Sequence, residues 1–176
     1  MLVRPALCLA VTATVVSTPA LAAGDLDRLV DQMAAAYGGK EALAKMATLT
    51  QTGRVAATIR VASSGPLVRI YARSLKLRVE IGAPTDAEVR VLDGKRGWRN
   101  GREVSGPPYE AMVLQAVRLD LPFALVENRQ SLVDRGLTTL HGKEVHTVEL
   151  PIGAAMSVTV GIEPTTGRVV YSAARL

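Results

Sequence analysis

Residues 75–81 read Leu75-Lys76-Leu77-Arg78-Val79-Glu80-Ile81, the most regular alternation in the chain. Apolar and charged side chains exchange at every step. That is the period of a β-strand with one dry face and one wet face. A helix would scatter the same residues around its axis. The flanking sequence reads the same way. Residues 48–61 are rich in Thr and Val, with Gly53 as a candidate bulge. Ser63-Ser64-Gly65-Pro66 is turn chemistry, and residues 67–72 make the next strand. Residues 89–92 lead into Asp93-Gly94, then Gly97-Trp98-Arg99, then Asn100-Gly101 and residues 102–104. The two turn dipeptides mark successive hairpins.

Helical periodicity brackets this run of strands. Leu26, Leu29, Val30, Met33, Ala34 and Tyr37 form one stripe, with Asp25 as cap and Gly38-Gly39 as stop. Residues 40–46 add a short second turn of helix. Pro107-Pro108 opens another helix, on which Tyr109, Met112, Val113, Ala116 and Val117 recur at helical spacing. Pro122 ends or bends it, and Phe123, Leu125 and Val126 continue the apolar run. Strands return at residues 132–140, 144–150, 156–162 and 168–173. The order predicts one α+β domain over residues 23–176, with an antiparallel sheet curled around helices.

The start of the chain reads as an export leader. Arg4 precedes an uncharged stretch, and the apolar middle, residues 6–16, is too short to span a bilayer. Pro19 breaks the helix, and Ala20-Leu21-Ala22 offers a small-x-small cleavage site, so residues 1–22 are expected to be removed after Ala22. An uncleaved anchor is the alternative. Cys8, the one cysteine, lies inside the leader and far from the cleavage point. The remaining chain therefore has no disulfide, thiol nucleophile or thiolate metal site. The net charge of +5 falls to +4 when the leader takes Arg4 with it, and that charge gives the exported protein an attraction to anionic membrane surfaces, or simply keeps it soluble. Nucleic acid is not an expected partner.

Nothing in the sequence has the pattern of a catalyst. His141 and His146 are the only histidines, with Glu144 near them but no zinc-ligand spacing. There is no Gly-x-Ser-x-Gly elbow and no glycine-rich phosphate loop. Asp25 and Asp27 sit at a helix start, where capping accounts for them. No enzyme activity, metal or cofactor is expected.

Several segments, in order, resemble a known family. They are Tyr37-Gly38-Gly39-Lys40-Glu41-Ala42-Leu43, Lys76-Leu77-Arg78-Val79-Glu80, Asp93-Gly94-Lys95-Arg96-Gly97-Trp98 and Ile162-Glu163-Pro164-Thr165-Thr166-Gly167-Arg168-Val169. Spread over nearly the whole chain after the leader, they resemble the LolA-like family of periplasmic outer-membrane lipoprotein-sorting proteins. The resemblance implies an incomplete curved antiparallel β-barrel, a half-barrel, covered by helices. It implies a periplasmic carrier that holds a lipid or lipoprotein acyl chain and deals with inner- and outer-membrane partner proteins, with transient membrane contact. The apolar cavity would be lined by Leu75, Leu77, Val79 and Ile81 of the strand. Trp98 and the middle helical segment, Met112, Val113, Ala116, Val117, Leu121, Phe123 and Leu125, would complete it. Arg69, Arg73 and Arg78, with Lys76 and Arg90 nearby, would form a basic rim for head groups. Each of these sets also has a plainer reading: filled core for the apolar residues, solvated face for the arginines. With the core filled, the chain is a non-catalytic envelope module that binds another protein.

Overall fold

The computed structural model describes residues 23–56, 65–83 and 85–176. The expected leader and residues 57–64, the end of the first expected strand, lie outside the described residues. Helices α1 (Ala23–Ala36) and α2 (Lys40–Lys45) come first, followed by β1 (Thr48–Val55), β2 (Gly65–Ala72), β3 (Lys76–Ile81), β4 (Glu88–Asp93), β5 (Gly97–Arg99) and β6 (Arg102–Val104). Helices α3 (Pro107–Leu119) and α4 (Leu121–Glu127) and a 3-10 turn (Arg129–Ser131) then lead into β7 (Val133–Leu140), β8 (Lys143–Ile152), β9 (Met156–Ile162) and β10 (Val169–Arg175). The architecture is α+β. β1 to β6 make a six-stranded antiparallel meander, and β7 to β10 a second meander of four strands. Among the described residues the two sheets do not join into a closed barrel.

Strand alternation turns Leu77, Val79 and Ile81 toward the helices, where all three are buried. Two details differ from the sequence expectation. Gly53 pairs with Leu67 in unbroken register, so it makes no bulge. The register shifts fall instead at Asp134/Gly136 and Val169/Tyr171. Leu75 does not belong to β3: with Ser74 it forms the β2–β3 turn in the left-handed region, at φ 58° and 66° respectively.

α3 lies between the sheets and serves both. Val113 and Ala116 pack with Leu67, Tyr71, Leu77 and Val79 of the larger sheet. Leu114 and Val117 pack with Val148, Leu150, Val158 and Val160 of the smaller one, together with Leu29, Val30 and Met33 of α1 and Leu125 of α4. Leu75, Ile152 and Met156 touch both clusters. Gly97 lets α3 settle on β5: a Cβ there would lie 2.5 Å from the Met112 terminal methyl.

Outside the core, Arg129 ties the 3-10 turn to α1. It donates to Asp27 Oδ1 at 3.2 Å and also to Asp31, which Lys40 approaches at 2.8 Å. Those hydrogen bonds, Arg129 first, hold the Asp31 pKa at about 2 against an ordinary 3.8. A depressed folded pKa contributes stability that is present above 3.8 and lost as the pH falls toward about 2. Asp31→Asn is expected to flatten the acid side of the stability curve in that window, read by urea unfolding. The pair is half exposed, so the effect is under about 1 kcal/mol. An unchanged acid slope would reject it.

Candidate functional site

The α3–α4 junction positions the candidate site. α3 stops at Leu119, Asp120 leaves the helical region at φ −113°, and α4 restarts with Pro122 in its first turn. Pro122 supplies no amide to continue the helix but tolerates a first-turn position. The break opens a cleft of about 330 Å³ between the β2–β3 turn, the junction and the β8–β9 hairpin. Its walls are Leu75, Val117, Phe123, Ala124, Leu150 and Ile152, with Tyr71 and Asp120 at the base. The volume lies at the low end of what small-molecule sites use. Holding Leu75 in the left-handed region costs about 1–3 kcal/mol. That strain sets its side chain on the lip, where the two apolar clusters meet.

A polar knot closes the base. Asp120 is buried, and Tyr71 Oη donates to its Oδ2 at 3.0 Å. Arg73 Nε stands 3.6 Å from the same oxygen. The remaining nitrogens of Arg73 donate to Ala44 O at 2.7 Å and to Leu43 O, carbonyls at the C-terminal end of α2. Its guanidinium also lies 3.3 Å from the centre of the Phe123 ring. One side chain thus connects β2, α2, the junction and α4. Asp120 Oδ1 is buried and has no hydrogen-bond partner among the described residues. Burial pushes the Asp120 carboxyl above the usual carboxylate range, although Tyr71 and Arg73 pull the other way. Burial, then the charge of Asp120, pushes the Tyr71 phenol up as well.

The expected site residues part company here. Leu75, Val117 and Phe123 come together in the cleft. Leu77, Val79, Ile81, Val113, Ala116, Leu121 and Leu125 are buried core instead, because α3 fills the inner face of the larger sheet. Met112 lines a different cleft, of about 350 Å³, with Arg90, Arg99 and Val104 at the N-terminal end of α3. Trp98 is on the wrong face altogether. It pairs with Val91 on the outer side of the sheet, beneath the Arg96 guanidinium at 5.0 Å. The arginines do not form one rim. Arg69 faces inward with Gln51, Arg73 ties the knot, and Arg78 is on the outer face with Glu80 at 2.6 Å.

No family model, curated protein or solved structure matches this chain. The site therefore stands on its own geometry.

Sequence reasoning missed Tyr71, Asp120, Leu150 and Ile152. Asp120 did carry a signal: a lone carboxylate inside Leu119-Asp120-Leu121-Pro122. The hairpin residues carried none, because the fold alone brings them to α4. His146 is buried, with Nε2 2.7 Å from Asp134 Oδ1. It stands in another cleft, near α1 and Pro164. Among the described residues, no three His, Cys, Asp or Glu side chains gather as metal ligands would. No described helix is long and apolar enough to cross a membrane.

Proposed function

We propose that the chain is a non-catalytic carrier, exported to the periplasm, that holds one lipid or lipoprotein acyl chain in the cleft at the α3–α4 junction. In this reading the two sheets are the parts of one incomplete barrel, the helices are its cover, and the chain is a LolA-like carrier. The observation that carries the reading is the lining: Leu75 and Ile152 are only partly buried, yet each touches both apolar clusters. Spreading the hairpin from α4 would lengthen one continuous aliphatic wall. Each methylene taken into it would contribute roughly 0.8 kcal/mol.

Uptake of a fluorescent fatty acid by the purified protein tests this, together with native mass spectrometry for co-purified lipid. Ile152→Glu puts a charge on the wall, and Ala124→Phe fills the space from α4. Each is expected to weaken uptake by at least about tenfold. No uptake by the parent protein, or equal uptake by both variants, would end the carrier reading.

A second reading has its own support. Val79, Ala116 and Leu125 are wholly buried, so the middle of the fold is filled. Ile70, Val91 and Trp98 stand in one row on the outer face with Arg78. An envelope protein-interaction module would look like this, and it would take up no fatty acid.

A further inference from the structure

One cross-strand row runs the width of the larger sheet on the side facing the helices: Gln51, Arg69, Val79, Arg90, Arg99 and Arg102. Wholly buried Val79 separates Arg69 from the other arginines, so positive charge gathers at the β4–β6 end. There Arg90, Arg99 and Arg102 stand directly opposite one another, at positions where strand alternation calls for core residues. Like charges so placed destabilise a sheet. Glu88, buried on the same face, answers two of them. It accepts from Arg90 Nε at 2.6 Å and from an Arg99 guanidinium nitrogen at 2.9 Å. Burial pushes the Glu88 carboxyl up, but the bonds from Arg90 and Arg99 prevail and hold it below the usual carboxylate range. The carboxylate is therefore ionised at neutral pH, and Glu88, Arg90 and Arg99 together keep one positive charge.

The two arginines border a cleft. α3 covers the middle of the sheet with Val113 and Ala116, but a space of about 350 Å³ remains between its first turns and β4 to β6. Arg90 and Arg99 line it from the sheet with Val104, and Pro107, Pro108, Ala111 and Met112 line it from α3. Among the described residues, no carboxylate lines this cleft. Each guanidinium carries five N–H donors in a planar fork, and the Glu88 bonds engage one nitrogen of each. Apolar walls with a few convergent charged groups are the usual make-up of a small-molecule site. Guanidinium forks suit a carboxylate, which takes two parallel bonds from such a group. One negative charge matches the one positive charge left over, whereas a dianion would exceed it beside Glu88.

We propose that Arg90 and Arg99 bind the carboxylate of a small organic acid whose apolar body lies against Met112 and the first turns of α3. The site is at the opposite end of α3 from the junction cleft and stands whether or not that cleft carries lipid.

Titration calorimetry on the purified protein tests this with octanoate, 1-octanol and acetate. Octanoate is expected to bind at least about tenfold more tightly than either of the others, because it alone has both the charge and the hydrocarbon. Arg99→Gln is expected to erase the margin over octanol. Ala111 is exposed, so Ala111→Phe fills the cleft without touching a charge. It is expected to weaken octanoate at least about tenfold and to leave the midpoint of thermal unfolding unchanged. If Arg99→Gln fails to fold, Ala111→Phe decides alone. Octanoate binding that Ala111→Phe removes, in a protein that takes up no fluorescent fatty acid, would keep this site and reject the carrier. Octanoate binding lost in Ala124→Phe and retained in Ala111→Phe would reject this site and keep the carrier. No octanoate binding, or binding no tighter than that of octanol or of acetate, would overturn the proposal.

Discussion

Gly167→Ala is expected to lower the free energy of unfolding by at least about 3 kcal/mol, measured by urea denaturation. Gly167 closes the β9–β10 turn, donating its amide to Glu163 O at 2.9 Å. Its φ is +70°, where any Cβ is strained. More important is what that Cβ would meet: Gln32 O at 2.6 Å and Met33 N at 3.1 Å, both backbone atoms of α1. No rotamer change can move them. The turn and helix are also joined by Gln32 Nε2 donating to Pro164 O at 2.7 Å and by Val169 N donating to Tyr37 Oη at 3.2 Å. Relief means lifting α1, which carries Leu29, Val30 and Met33 into the core. Gly153→Ala is the control. Gly153 has a similar φ of +64° but no atom within 4 Å of its Cβ position, so it isolates the conformational part. If both variants lose the same amount, the close seat of the turn on α1 has no energetic meaning.

The second large effect is expected at Arg73. Arg73→Met keeps much of the side-chain volume over Phe123 but leaves the buried Asp120 carboxylate without its cation. Breaking a buried pair from one side costs about 3–5 kcal/mol, and Arg73 is partly exposed, so about 3 kcal/mol is expected. The pH dependence has a definite sign. The folded Asp120 carboxyl titrates above its unfolded value, so the native state holds the proton more firmly. Stability from this group is greatest at low pH and falls as the pH rises through the carboxylate range toward the raised value. Losing Arg73 raises the pKa further and steepens that fall. Asp120→Asn should cost less than Arg73→Met and abolish this component, since the titrating carboxyl is gone and the Arg73 guanidinium it leaves behind still donates to Ala44 O and Leu43 O. Urea midpoints for the three proteins across the acid range decide it. Identical pH slopes in Arg73→Met and Asp120→Asn would show that Asp120 does not titrate in the fold.

Secondary structure was legible wherever local chemistry decides it. The alternation of residues 77–81 survives as β3, and the Met112–Val117 stripe is the buried side of α3. Pro122 was legible as an interruption, though not as the start of a separate helix. What sequence could not supply was which apolar face meets which. Period 2 makes two faces without saying which one is covered, so Trp98 went to the wrong side and the row of arginines remained hidden. The row exists only in the register of six strands. In sequence its members are isolated arginines, indistinguishable from those on the outer face. The cleft had the same difficulty. Leu75 and Ile152 are far apart in the chain, and their meeting depends on how two meanders lie over one helix.

Because Leu75, Ile152 and Met156 belong to both apolar clusters, neither sheet can withdraw from the other without wetting methyl groups that both require. If the proposed carrier reading holds, the two meanders would act as the jaws of one clip: a molecule parting them would have to replace the lost contact with hydrocarbon of its own, which a polar visitor could not do.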